Sequence, residues 1–440
     1  MHILSMAIGS TIRRIGFWTI DTIKGGNIRR HYQEVSEIMQ NPFSERAVDK
    51  RNRLLEELLD HSIRTVPFYS KYEQVNFTRL PIIGKDLVQN NFDSFKSNKF
   101  RTKELCKVST SGSTGIPFLL FINQDKRSRN IADTLYFFNN VGYNIGDRLY
   151  YLRLWNGEQK SELKRLLQNI VKVNISKMTD GFVNDLLNEL RRDNSPKCII
   201  AIASSLETLC KYIDRNNLKN LDINIKSIIA NSEALNDYTK KSIEKYFNAP
   251  IVSRYSNEEQ GIIAQQKTDD NKYFHINWAS YIVEIFHMDK DIPVKAGEVG
   301  RIIVTDLFNY SMPLIRYDTG DIGVMELIDN ERVLTCVEGR KMDLIYNTAG
   351  DLISSYCVYP VMDKYNHLIK QYQFIQIGKK EYLIKLNIHK EFIYSEKLIK
   401  NFKAMLGTNA EISIEYVNEI PELSSGKRKK VMNTNSQIDT

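Results

Sequence analysis

Apolar positions change period along the chain, and the changes divide it into readable stretches. After Ser44, the residues Leu54, Leu55, Leu58, Leu59 and Ile63 recur at three- and four-residue steps. That spacing predicts a helix over 44–64 with one face inward and Ser44 as its cap. A short strand at Lys107 and Val108 and an apolar strand from Phe118 to Ile122 come next. A helix capped by Asp125 then turns Ile131, Leu135, Phe138 and Val141 inward and stops at Gly142. From Cys198 to Ala203 six apolar residues run without a break, which fits a buried strand. Ser204 and Glu207 stand at the spacing of a capping box for the helix that follows. A second strand, Ser227–Ala230, leads to a helix from about Asn236 to Phe247, and a third strand spans Ile251–Tyr255. Strands alternating with helices at this interval predict βαβ units in a parallel sheet. Ligands bind such sheets at the carboxyl ends of the strands. Three loops therefore meet on one rim: Ser204-Ser205, Asn231-Ser232-Glu233 and Ser256-Asn257-Glu258-Glu259.

Beyond residue 260 the alternation becomes strand-like, at Tyr281–Phe286, Gly300–Thr305 and Arg332–Val337. After Arg340 the style changes again. Asp343–Tyr346 and Leu352–Ser355 flank a turn at Thr348–Asp351, Glu381–Ile388 and Glu411–Val417 alternate, and a helix fits 395–406. The expected fold class is α/β: a large N-terminal domain (1–338) with parallel βαβ sheets plus a β-rich part, and a small, mobile α+β C-terminal domain (339–440). The last ten residues are polar and aperiodic and are expected to fray.

Composition narrows the function classes. The 440 residues are 42% hydrophobic and 26% charged, ordinary for a globular protein. This excludes a disordered chain, a collagen-like fibre and a small disulfide scaffold. Lys plus Arg number 61 against 53 Asp plus Glu, a net +8. So mild an excess suits anionic small molecules or an acidic membrane surface and gives no support to nucleic acid as a partner. Cys106, Cys198, Cys210, Cys336 and Cys357 are scattered and form no CxxC pair, which predicts reduced thiols and a cytoplasmic location. The seven histidines are dispersed, and no zinc site is expected. No apolar run reaches about 18 residues, so no segment is expected to span a bilayer. The N-terminus lacks the basic leader and cleavage site of a signal peptide. Between Ile12 and Ile23, Arg13, Arg14, Phe17 and Trp18 are mixed with apolar residues. The plain reading is a helix docked on the body, and the alternative is weak peripheral contact with a membrane surface.

The clearest chemical signal is the loop Thr110, Ser111, Gly112, Ser113, Thr114, Gly115. Its two glycines let backbone amides turn toward an anion, and its four hydroxyls add donors. It joins two strands and has no Lys after its last Gly, so it is not a Walker loop. Five further clusters follow: Asn231–Leu235, Arg254–Gln260, Ile315–Ile322, Gly339–Ile345 and Leu423–Arg428. The order and spacing of all six resemble the adenylate-forming (ANL) superfamily. Leu80–Leu87, Tyr143–Asp147 and the Pro117-Phe118 pair after the loop look like its phenylacetate–CoA ligase family. Within that family the chain is most like the branch found with capsular polysaccharide biosynthesis (CapK-like).

The resemblance implies an enzyme, an acid–thiol ligase that joins a small carboxylate to AMP from ATP and releases pyrophosphate. The acyl group would then pass to a thiol (coenzyme A or a carrier), or to an amine or hydroxyl of a cell-surface sugar precursor. By the same resemblance, the Thr110–Gly115 loop would hold the β- and γ-phosphates. Tyr255 would lie against the adenine, with Ser232 and Glu233 bordering it. Glu259 would bind Mg²⁺, a hard cation suited to carboxylate oxygen. Asp321 would accept the ribose hydroxyls, and Arg340 would approach the nucleotide from the domain junction. Lys427 would come from the small domain to bridge the substrate carboxylate and the α-phosphate. Two positions depart from the family pattern: Ser256-Asn257 replace small or apolar neighbours, and Met342 stands where a hinge Asp is usual. These two support a competing reading, a non-catalytic nucleotide-binding or interaction protein on the same fold.

Overall fold

The computed structural model describes residues 2–73, 75–109, 118–155, 168–176, 178–219, 221–338, 345–353, 357–389, 391–421 and 428–434. Three helices open the chain: α1 (His2–Ile23), α2 (Asn27–Gln40) and α3 (Glu45–Thr65). As expected, Ser44 caps α3, its hydroxyl accepting from the Ala47 amide at 3.3 Å, and Leu54 and Leu58 are buried. A short helix α4 (Lys85–Asn90) precedes the antiparallel pair β1 (Cys106–Ser109) and β2 (Leu119–Ile122). Helix α5 (Gln124–Asn139) follows. Asp125 does not cap it. Asn123 is the N-cap residue, and the Asp125 carboxylate pairs with the His31 ring at 2.9 Å instead. The buried side of α5 is also less apolar than the sequence suggests, since Ile131 and Leu135 are only half-buried. Lys126, Arg129 and Asp133 are fully covered, with Lys126 on Asp306 at 2.7 Å.

The rest of the body is strands β3 (Arg148–Arg153) and β4 (Ile170–Asn174), helix α6 (Asp180–Arg192), β5 (Lys197–Ile202), α7 (Ala203–Arg215), β6 (Ile225–Asn231), α8 (Asp237–Phe247) and β7 (Ile251–Asn257). β8 (Gly261–Gln265), β9 (Phe274–Ile276), β10 (Tyr281–Phe286), β11 (Val299–Asp306), β12 (Tyr317–Ile328) and β13 (Glu331–Glu338) complete it. Among the described residues these strands form one sheet in the order β10-β11-β12-β13-β9-β8-β7-β6-β5-β3-β4. The β7-β6-β5-β3-β4 half is parallel, as the βαβ pattern predicts, and the other half is antiparallel. The parallel strands are isoleucine-rich because helices cover both faces. Two motifs far apart in sequence meet here. Ile83 donates its amide to Arg316 O at 3.0 Å and accepts from the Asp318 amide at 2.9 Å. The Arg316 guanidinium closes the contact on Thr78 O and Leu80 O.

The C-terminal part is built separately. β14 (Ile345–Tyr346), β15 (Leu352–Ile353), helix α9 (Val358–Asp363), β16 (Ile369–Gln376), β17 (Glu381–Ile388), helix α10 (Ser395–Leu406), β18 (Glu411–Tyr416) and β19 (Val431–Asn433) surround their own core. That core includes Phe374, Ile384, Leu398, Phe402 and Val431. Its four-stranded sheet runs β18-β17-β16-β19. The end of the chain is not wholly frayed: Val431–Asn433 pairs in parallel with β16, and Phe374 donates its amide to Lys430 O at 2.8 Å. Polar composition hides this strand because only Val431 faces the core. The molecule is therefore α/β, a large N-terminal domain followed by a small α+β one.

Candidate active site

The rim forms where β6 and β7 end side by side, with Asn231 paired to Arg254. Past Asn231 the chain turns sharply. Ser232 takes φ 68°, unusual for a residue with a side chain, and the Glu233 amide returns to Asn231 O at 2.8 Å. This turn aims the Glu233 carboxylate across the rim. One oxygen accepts from the Ser204 amide at 2.8 Å, in the first turn of α7. The helix start thus receives an acid from a neighbouring loop, satisfying an unpaired N–H and complementing the dipole. The other oxygen accepts from the backbone amide of Arg428, in the small domain, at 3.2 Å.

Glu207 does not close the expected capping box, because it faces the small domain. It is buried, with its carboxylate held by Lys211 at 2.9 Å, by the Asn236 amide group at 3.1 Å and by Lys430. Lys211 also donates to Ile369 O at 3.1 Å, across the same boundary. Burial raises the cost of ionising Glu207, but the ammonium groups of Lys211 and Lys430 overcome it and hold the carboxyl down to about 2. One carboxylate cannot fully offset two ammonium groups, and burial pulls Lys211 below its ordinary value.

Next along the rim, Tyr255 lies on β7 with 8% of its surface exposed. Its hydroxyl donates to Asp321 Oδ2 at 2.9 Å and lies 3.2 Å from Thr319 Oγ1. Burial, then the Asp321 charge, push the Tyr255 hydroxyl well above its usual range, so it stays a donor. The Asp321 amide binds Thr319 Oγ1 at 3.1 Å, and Gly320 at φ 78° makes the tight turn that presents the carboxylate. Glu259 is half-buried on the turn between β7 and β8, whereas Glu258 is exposed.

Of the sequence-predicted residues, the structure thus brings together Ser232, Glu233, Tyr255, Glu259 and Asp321. Thr110, Ser111, Gly112, Ser113, Thr114, Gly115, Arg340 and Lys427 lie outside the described residues, as does Met342. Ser109 and Leu119, which flank that Ser/Thr/Gly segment in sequence, are register partners in the antiparallel pair β1–β2. Sequence reasoning missed the Glu207–Lys211–Lys430 cluster. The i, i+4 spacing of Glu207 and Lys211 was visible, but it ordinarily marks a solvated pair. It also missed Arg254, whose buried guanidinium stacks on Phe138 at 4.6 Å and binds Gln265 at 2.7 Å. Burial without a carboxylate partner lowers it to about 10.

Residues 345–434 match the family described as the CapK C-terminal domain. Protein CapK of Staphylococcus aureus is 24% identical over 436 residues, covering 92% of each chain. Phenylacetate-coenzyme A ligase of Thermus thermophilus is 22% identical over 136 residues, 30% of each chain. Among solved structures, 2-hydroxyisobutyryl-CoA ligase in the postadenylation state, complexed with R3-HIB-AMP, superposes with TM-score 0.68 at 15% identity, covering 89% of this chain and 91% of that one. The same ligase with 2-HIB-AMP and CoA in the thioesterification state gives 0.57 at 16% identity and the same coverage. The structural likeness establishes the fold, one shared with adenylate-forming CoA ligases, the likeness to CapK runs nearly end to end, and residues 345–434 carry the CapK C-terminal domain.

Proposed function

We propose that the protein is an ATP-dependent ligase that activates a small carboxylate. A carboxylate oxygen attacks the α-phosphorus of ATP, pyrophosphate leaves, and an acyl-adenylate forms. An acceptor then attacks the acyl carbon and AMP leaves. The acceptor is a thiol, of coenzyme A or a carrier, or an amine or hydroxyl of a cell-surface polysaccharide precursor. The sugar option follows from the likeness to CapK. The reaction takes place in the cytoplasm, between a body (1–338) and a cap (339–440).

One observation supports this reading most. The Arg428 amide of the cap rests on Glu233 at the strand ends, and Lys427 is the residue before it. The greater likeness to the postadenylation state agrees with a cap seated for the first half-reaction. Each residue then has a task. The Thr110–Gly115 amides and hydroxyls hold the β- and γ-phosphates. Ser232 and Glu233 border the adenine. Tyr255 acts through its hydroxyl, fixing Asp321 so that the carboxylate meets the two ribose hydroxyls. Arg340 reaches the nucleotide from the junction. Glu259 offers the carboxylate oxygen that Mg²⁺ favours, and a divalent cation there offsets phosphate charge. Lys427 places its ammonium between the substrate carboxylate and the α-phosphate, where two anions converge.

The test is pyrophosphate release with ATP·Mg²⁺ and a panel of carboxylates. Lys427→Ala is expected to cut the rate by about 10²–10³ with ATP affinity little changed. Pyrophosphate release from no acid, with ATP binding intact by calorimetry, would transfer the protein to the non-catalytic nucleotide-binding reading. Activity indifferent to Lys427 would remove the assigned chemistry.

A further inference from the structure

Helix α1 is docked inside out. At about 100° per residue, Ser10, Arg13, Arg14, Phe17 and Asp21 fall on one side, and Ile8, Ile12, Ile15, Thr19 and Ile23 on the other. The polar side faces the body. The turn at Gly146 fits so closely under α1 that an added Cβ would stand 2.6 Å from Ser10 O and 2.9 Å from Arg13 Cβ. Asp21 is 5% exposed, and its two oxygens accept from the Ile28 and Arg29 amides at the start of α2. The isoleucine side faces outward: Ile8 is 53% exposed, Ile12 64%, Ile15 61% and Ile23 80%. A helix whose task was only to cover the body would turn these residues the other way.

Charge identifies the occupant. Residues 1–30 contain five bases (Arg13, Arg14, Lys24, Arg29, Arg30) and one acid, so half of the net +8 lies in them. Asp21 is sealed against α2, and Arg13 and Arg14 lie on the side that meets the body, so the exposed bases are Lys24 and Arg29, with Arg30 on Asp125, gathered where α1 ends next to Ile20 and Ile23. An anionic bilayer accepts both features, isoleucines at the headgroup–acyl boundary and bases over the phosphates. We infer that the outward isoleucine face of α1 docks the protein on an anionic lipid surface. No helix among the described residues is long and apolar enough to cross a membrane, so the contact is peripheral. The inference stands apart from the proposed ligase chemistry, and its readout involves no nucleotide.

The experiment is flotation of the full-length protein with vesicles of phosphatidylglycerol and phosphatidylcholine in equal parts, and with pure phosphatidylcholine. Wild type is expected to float with the anionic vesicles, less so in high salt. The double variant Ile12→Glu/Ile15→Glu is expected to bind at least about tenfold more weakly, since two buried apolar side chains are lost. Its melting temperature should not change, because both positions are exposed. Lys24→Glu keeps every isoleucine and is expected to weaken anionic binding by about fivefold or more. Wild type that stays unbound, or a double variant that floats as wild type does, overturns the inference. Self-association of wild type by analytical ultracentrifugation, abolished by the double variant without any vesicle binding, overturns it in favour of a second copy.

Discussion

Glu207→Gln is the sharpest perturbation of the cap's seating. The wild-type carboxylate is buried on α7 between Lys211 and Lys430, and Lys430 lies three residues after Lys427, directly before β19. Displacement of its pKa from 4.5 to about 2 means that, despite burial, the folded surroundings favour the ionised form by about 3 kcal/mol over water, with Lys211 contributing most and Lys430 next. Removing one member of a buried ion pair costs about 3–5 kcal/mol, because the remaining charge stays desolvated. Lys211 stays beside Glu207 on α7 whether or not the cap is seated, so only the part owed to Lys430, on the order of tenfold, enters the seated-to-unseated ratio. Glutamine keeps the volume and can still meet Asn236, so the loss is electrostatic. The expected result is a large fall in the adenylation rate, together with faster hydrogen exchange at the Arg428 amide. Lys430→Met should cost less, because Glu207 then keeps Lys211 as partner. The pH dependence has a defined sign. The folded pKa lies below the ordinary value, so the contribution is complete above about pH 4.5 and is lost as pH falls from there toward 2. Wild-type exchange at Arg428 in the glutamine variant, or greater damage from Lys430→Met than from Glu207→Gln, would refute this reasoning.

Tyr255→Phe removes the hydroxyl that holds Asp321, a contact to a charged group worth about 1.5–3 kcal/mol before water replaces part of it, so ATP affinity by calorimetry should fall about tenfold. Lys126→Met breaks the buried pair with Asp306 and should destabilise the body by about 3–5 kcal/mol in urea unfolding, with no specific effect on ATP affinity at temperatures where the fold persists. His389 is held down to about 4 by burial and then by Arg215, Lys370 and Lys211. The fold therefore favours the neutral ring, and stability should decline as pH falls from about 6.5 to 4. Monitored by thermal melting, His389→Gln should flatten that limb.

Periodicity made β5, β6 and β7 legible, because each carries a short buried apolar stretch, whereas β3 and β4, in which Arg148, Arg153, Lys172 and Asn174 break the apolar pattern, went unread. Asn236 accepts from the Thr239 amide at 2.8 Å, as its position before a helix implies. The failures share a cause. Asp125, Glu207 and the Val431–Asn433 strand were read from local neighbours, but each is claimed by a distant one: His31, the small domain and β16 respectively. Pairwise spacing carries no record of such contacts. Tyr255 and Asp321 were picked by resemblance, which could not reveal that one holds the other. The inverted face of α1 was likewise hidden, since a stripe of isoleucines in sequence reads as core until its surroundings are known.

The rung Asn231–Arg254–Gln265 crosses the line where the parallel and antiparallel halves of the sheet join, and β7 is hydrogen-bonded on both sides of it. Glu233, Tyr255 and Glu259 all hang from this seam. On the function proposed above, the body is the stator: its hydrogen-bonded frame resists shear between the halves, so these side chains would keep their spacing through a turnover. On the same reading, motion falls to the small domain, which meets the frame among the described residues through Arg428 on Glu233, Lys430 on Glu207 and Lys211 on Ile369 O. A machine of that design changes step by swapping polar contacts at one boundary, with no need to repack either interior.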